Sequence, residues 1–270
     1  MKSVKSITRR ILYPLYPVRA AMGRFVILPD NTIISKAAKL IASEKIAGDY
    51  LEFGVYTGRS FVSAFHAIRR AFDEQSTFNI WNTQQDVVER RQLWRAMRFV
   101  AFDSFQGLPA PKRLDEQSRD FVQGKFASSR HQFEGNISGG GVPLERTIVV
   151  AGWFADTLTE ATIRTHNLRH AAIVHIDSDL YESAKLALNF VAPLLVDGSV
   201  IIFDEWYAFR GNPCLGEQLA WREWCAVHPE WTATEYQKEG PWRNSFIVNK
   251  VGSPGETTHE SSVASEDDQK

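Results

Sequence analysis

Two apolar runs of this 270-residue chain end in pairs of carboxylates: AAIVHIDSDLYE at 171–182 carries Asp177 and Asp179, and SVIIFDEW at 199–206 carries Asp204 and Glu205. Acids gathered at neighbouring strand ends repel one another unless a cation neutralises them. Oxygen ligands of this kind suit Mg²⁺, which takes one or two carboxylates and completes its octahedron with waters and substrate oxygens. Such an ion can bind a hydroxyl, lower its pKa and orient it, while Asp177 or Asp179 takes the proton. The expected metal ligands are Asp177, Asp204 and Glu205. Helix capping competes for one of these acids, because D-L-Y-E has the form of a capping box with Asp179 as N-cap and Glu182 reaching back. Asp179 is thus divided between cap and catalyst, whereas Asp177 has no such local role. His175 alternates with Asp177 and so shares its face, although a satisfied core histidine is the commoner case.

Three further segments place polar groups at the ends of apolar runs. In YLEFGVYTGRS (50–60) a strand ends at Glu52, Gly54 and Gly58 allow a sharp turn, and a helix opens near Ser60 with unpaired N–H groups. The spacing is not the G-x-G-x-x-G of dinucleotide sites, and no Gly-Lys-Ser/Thr follows as in a phosphate loop. An acid before the glycines disfavours pyrophosphate and suits a positively charged ligand such as the amino group of S-adenosylmethionine; the bland alternative is a tight turn with a surface acid. In FVAFDSFQGLP (99–109), Asp103 ends the second strand, where nucleoside-binding α/β proteins place an acid on the ribose hydroxyls; it also suits a turn cap. GWFADTL (152–158) brings Asp156 near a third strand end, facing a nucleobase or capping the next helix.

The elements that must position these residues alternate. Strands are expected at 50–55, 98–103, 146–152, 171–177 and 199–204, with helices at 32–46, 59–72, 155–166, 181–195 and 216–228. The five strands are nearly continuous apolar runs, the pattern of a parallel sheet covered on both faces. Regular alternation gives right-handed crossovers and a doubly wound α/β fold. Two last strands, 231–237 and 244–250, flank Gly240 and Pro241 and read as an antiparallel hairpin at the sheet edge. Residues 73–97 interrupt the rhythm with an extra helical pattern, and 107–145, long and rich in charge, proline and glycine, reads as a lid over the site. The aromatic WREWCAVHPEW segment reads as an amphipathic helix on the core.

Composition narrows the partners. A formal net charge of −1 gives no global attraction to nucleic acid or anionic membranes, so a small-molecule partner is favoured. Cys214 and Cys225 form no CxxC pair or framework and read as free thiols of a cytoplasmic protein. No run is long enough to span a bilayer. Residues 1–30 form a basic arm whose apolar piece two prolines interrupt, a poor signal peptide, suited to weak peripheral membrane contact or to packing on the domain. Residues 251–270 are polar, lack aromatics and read as a disordered tail, leaving one domain at 31–250. A homo-oligomer is open.

Taken together, YLEFGVYTGRS, FVAFDSFQGLP, AGWFADTL, VHIDSDLYES and IIFDEW resemble the macrocin O-methyltransferase family, and the likeness runs from about position 49 to 250 with the segments in order. The resemblance implies a seven-stranded class I methyltransferase sheet and Mg²⁺-dependent transfer of a methyl group from S-adenosylmethionine to a sugar hydroxyl. It implies that Glu52, Gly54, Gly58 and Ser60 form the cofactor turn, that Asp103 holds the ribose and that Asp156 lies on the cofactor side. Asp177 matches a metal-binding or base position. Asp204 and Glu205 stand where the family usually has two adjacent aspartates. The alternatives are an NAD-dependent oxidoreductase on a Rossmann-like sheet and a non-catalytic homologue that binds a cofactor or a partner.

Overall fold

A computed structural model of the chain describes residues 31–77, 82–112, 114–117 and 121–252. The basic arm (1–30) and nearly all of the proposed tail (253–270) lie outside the described residues. Seven strands form one sheet: β1 (Asp49–Phe53), β2 (Phe99–Asp103), β3 (Thr147–Ala151), β4 (Ala171–Ile176), β5 (Leu195–Phe203), β6 (Trp231–Glu239) and β7 (Arg243–Lys250). Their order is β3-β2-β1-β4-β5-β7-β6. The first five run parallel, and β7 enters antiparallel between β5 and β6. The expected doubly wound sheet with a C-terminal hairpin is therefore present.

Alternation of side chains along the strands supplies two cores. Tyr50, Phe99, Ala101, Ile173 and Ile202 point to one face, where α1 (Ile33–Ser43) and α2 (Arg59–Gln75) lay Ile34, Ala38, Ile41, Phe61, Phe65 and Ile68 against them. Leu51, Phe53, Phe102, Ile176 and Phe203 point to the other. Fully burying one such side chain is worth about 1.5–3 kcal/mol. Phe53 stacks on Phe102 with ring centroids 4.6 Å apart.

The segment at 73–97 does hold a helix, α3 (Gln84–Ala96), opened by a capping box between Thr83 and Asp86. Buried Arg90 locks it down by donating to the carbonyls of Ala42, Ser43 and Gln75. The 107–145 stretch divides in two. Its first part is a loop closed at its base, where Leu108 N–H donates to Lys125 O and Gly124 N–H to Leu108 O. Its second part contains α4 (Arg130–Gly139), whose Phe133 and Ile137 are buried in the core against Gly58 and Phe61.

The helix expected at 155–166 breaks into α5 (Phe154–Thr157) and α6 (Glu160–Thr165), because Thr159 turns extended and caps the second piece. α7 (Tyr181–Val191) ends earlier than expected, at a 3₁₀ turn containing Pro193. β5 correspondingly begins at Leu195, with a register shift between Ala171 and Ile173 and a left-handed Gly198. α8 (Gly216–Val227) buries Trp221 and Trp224, with Trp221 stacked on Phe246 at 4.8 Å, so both are core residues as expected.

Candidate active site

Register brings the acids to one edge. Phe53 pairs with Phe102 and with Ile176, and Ile176 pairs with Phe203, so β1, β2, β4 and β5 end level. The ladder then runs one rung further: Gly54 N–H donates to Phe102 O, Asp177 N–H to Phe53 O and Asp204 N–H to Ile176 O, at 2.8, 2.9 and 3.0 Å. Gly54, Asp103, Asp177 and Asp204 therefore emerge side by side into one cavity of about 1290 Å³. This is the carboxyl edge of the sheet, where open α/β folds bind ligands.

The glycine turn is built for close approach. Gly54 sits at φ +88, and a Cβ there would stand 1.8 Å from the carbonyl oxygen of Asp177, which only glycine tolerates. Asp103 fastens the turn: its Oδ2 accepts the N–H groups of Val55 and Tyr56 at 2.8 and 2.9 Å, and its Oδ1 accepts that of Phe105 at 2.7 Å. It thus fills the turn-cap role while still lining the cavity. Ser60 also lines the cavity, in the first turn of α2, which no side chain caps.

Glu52, expected in the cofactor turn, does not line the cavity. It is fully buried behind the turn, where its two oxygens accept the hydroxyls of Tyr50 and Ser60, each at 2.5 Å. Asp156, expected on the cofactor side, is exposed on α5, and Trp153, Phe154 and Ala155 line the cavity there. Gly58 is left-handed and packs on Ile137 and Phe133 of α4, so it seats a helix rather than facing the cavity.

Asp179 does not cap its helix. The N-cap of α7 is Leu180, without a side-chain bond, and Asp179 itself is left-handed at φ +63 and buried beside the cavity. The cap comes from Asp115 on the loop after β2, whose Oδ1 accepts the N–H of Tyr181 at 2.9 Å. Asp179 is thereby left without a capping bond to α7. Burial and the charge of Asp204 push its carboxyl up to about 7. Asp177 is pushed well above the usual carboxylate range by burial and then by Asp204.

Asp204 goes the other way. Burial opposes its ionisation, but the cations of His175 and Arg243 outweigh that and hold it below the usual range. Arg243, the first residue of β7, donates through Nε to Asp204 Oδ1. His175 is fully buried, with Nδ1 3.2 Å from Tyr50 Oη and Nε2 3.5 Å from Asp204 Oδ1, where Nε2 makes no aligned hydrogen bond. Burial disfavours its charge, and Asp204 and Glu52 reverse this and hold it up at about 10.

Of the expected metal ligands, Asp177 and Asp204 lie together with His175. Ligand atoms of His175, Asp177 and Asp204 lie within 4.8 Å of one another, and Glu205 is not in that group. Its side chain leaves the strand end one residue later; it lines the cavity with Oε2 buried and unpaired. Burial, then Asp177 and Glu217, push Glu205 well above the usual range. The carboxylates of Asp177, Asp204 and Glu205 are donors of the type a divalent cation takes, and the unpartnered Nε2 of His175 becomes one only when it gives up its proton.

The family model described as Macrocin-O-methyltransferase (TylF) matches residues 32–224. The chain belongs to the macrocin O-methyltransferase family. Two curated relatives are similar over about two thirds of this chain. The 8-demethyl-8-(2,3-dimethoxy-alpha-L-rhamnosyl)-tetracenomycin-C 4'-O-methyltransferase of Streptomyces olivaceus is 28% identical over 66% of this chain and 59% of its own length. The demethyldecarbamoylnovobiocin O-methyltransferase of Streptomyces niveus is 26% identical over 64% of this chain and 58% of its own. The matches therefore span under two thirds of each relative.

Among solved structures, the O-methyltransferase NovP superposes with a TM-score of 0.57 at 20% identity, over 80% of this chain and 78% of that one. A calicheamicin methyltransferase gives 0.57 at 21% identity, over 79% and 76%. These likenesses carry the class I methyltransferase fold. Within that fold, this member of the family has residues that the sequence patterns did not single out. Asp115 is invisible because its partner is distant in the chain, Arg243 because it opens the second strand of a hairpin, and Glu217 because it looks like an ordinary acid in a helix's first turn. No helix among the described residues is long and apolar enough to cross a membrane.

Proposed function

We propose that this chain is an S-adenosylmethionine-dependent O-methyltransferase that methylates a sugar hydroxyl on a natural product or glycan, assisted by Mg²⁺ at the acidic centre. The observation that carries the reading is the level emergence of Gly54, Asp103, Asp177 and Asp204 into one cavity. Its volume, about 1290 Å³, exceeds that of a typical single-ligand pocket of roughly 300–1,000 Å³ and suits a cofactor and an acceptor together. The O-methyltransferase activities of the two Streptomyces relatives support an O-methyl transfer, and the rhamnosyl group named for the tetracenomycin enzyme supports a sugar acceptor.

S-adenosylmethionine supplies a methyl group on a sulfonium, and Mg²⁺ supplies a Lewis acid for the acceptor oxygen. The protein's work is positioning and proton handling. Asp103 and the backbone of the Gly54 turn face the nucleoside, with Ser60 beside them. His175, Asp177 and Asp204 are the residues that would hold the cation, and Glu205 borders them. Asp179, with a proton affinity near neutrality, is matched to take the acceptor's hydroxyl proton, and Asp177 stands next to it as the second acid. Glu52 and Tyr50 brace the turn from behind.

Calorimetric titration with S-adenosylhomocysteine and with NAD tests the cofactor. Binding of the first and not the second is expected; the reverse result would replace this reading by an oxidoreductase. Mass spectrometry of host glycans and small metabolites with and without the gene then identifies the acceptor by the gain of one CH₂.

A further inference from the structure

We infer that Glu217 is a positioning residue of the acidic centre, one that fixes the Asp204–Glu205 strand end and adds its charge to the cation bound there. The inference rests on the cation reading above. Glu217 lies in the first turn of α8 and is 1% exposed. Its Oε2 accepts the N–H of Glu205 at 3.0 Å. The next residue, Gln218, donates through Nε2 to Trp206 O at 2.7 Å. Consecutive side chains of one helix thus grip consecutive residues of the loop that carries the acids.

The helix cannot easily shift away. Gly216 is left-handed at φ +55, and the ring of Phe209 fills the space where its Cβ would stand, 2.8 Å away. A glutamine at 217 could accept the Glu205 N–H equally well. Burying a carboxylate beside other carboxylates is the costlier choice unless a proton or a cation neutralises it. Glu217 Oε1 and Glu205 Oε2 are both buried without a hydrogen-bond partner. The nearby cationic groups, His175 and Arg243, are directed at Asp204 instead. Residues that stand behind metal ligands and orient them typically change metal affinity by about 10- to 100-fold when altered.

The test is calorimetric titration of the full chain with Mn²⁺, as a probe for a divalent cation, on wild type, Glu217→Gln and Glu217→Ala. S-adenosylhomocysteine affinity and thermal unfolding serve as controls. Both variants are expected to weaken Mn²⁺ by about 10- to 100-fold while binding S-adenosylhomocysteine as wild type does. If the alanine variant does not fold, the glutamine variant carries the test, since it keeps an acceptor for the Glu205 N–H. A glutamine variant with wild-type Mn²⁺ affinity would overturn the inference and reduce Glu217 to a loop anchor. A wild-type protein that binds no Mn²⁺ would overturn the cation reading itself, and this inference with it.

Discussion

Asp115 caps a helix that begins 66 residues further along the chain: its Oδ1 accepts the N–H of Tyr181, the first residue of α7. The loop after β2 is thereby fastened to the helix that follows Asp177 and Asp179, and the capping role that the sequence suggests for Asp179 falls to Asp115 instead. Loss of an N-cap costs about 1 kcal/mol. Asp115→Ala is therefore expected to lower stability in urea unfolding by about that amount and to speed proteolysis of the 108–125 loop. Asp115→Asn retains an acceptor and should lose less.

Asp177→Ala and Asp204→Ala should each reduce methyl transfer by at least about 100-fold. S-adenosylhomocysteine affinity should stay largely intact, because neither side chain fastens the Gly54 turn. Since Asp204 also neutralises Arg243, Asp204→Asn provides a gentler variant with the same expected direction. Full activity of the Asp177 and Asp204 variants in the presence of a chelator would remove the metal role.

Without added cation, stability should fall as pH rises. Asp177, Asp179 and Glu205 all bind protons more tightly when folded than their ordinary values predict. The folded state therefore holds extra protons between about pH 4 and the folded values, and stability is greatest on the acid side of that window. For Asp179 the loss is complete once pH has passed about 7. Thermal unfolding from about pH 5 to about pH 8 should show this decline, and Mg²⁺ should flatten it by replacing the protons.

Two glycines with similar backbone angles should respond very differently to alanine. Gly54 and Gly124 have φ of +88 and +77, but a Cβ at Gly54 meets Asp177 O at 1.8 Å whereas one at Gly124 meets nothing within 4 Å. Gly124→Ala should cost about 1–2 kcal/mol from backbone strain alone. Gly54→Ala must also displace the β4 strand end and should cost more than about 3 kcal/mol, read by denaturant unfolding or by loss of soluble protein.

The sequence by itself determined the sheet and most of its contents. Continuous apolar runs such as YLEFGV and SVIIFD can only be strands covered on both faces, and the helical patterns between them force parallel crossovers, which puts Gly54, Asp103, Asp177 and Asp204 on one edge. These are consequences of local periodicity and chain connectivity. Only the tertiary structure decided which way individual side chains turn once they reach that edge. Asp156, the third residue of α5, faces solvent, Glu52 turns back to Tyr50 and Ser60, and His175 stands beside Asp177 and Asp204. Asp115 and Glu217 act through partners that no spacing rule connects to them, at Tyr181 and Glu205. Period and composition are properties of neighbours in the chain, whereas the charge balance of this site is set by groups that meet only when five strands, two loops and a helix have packed.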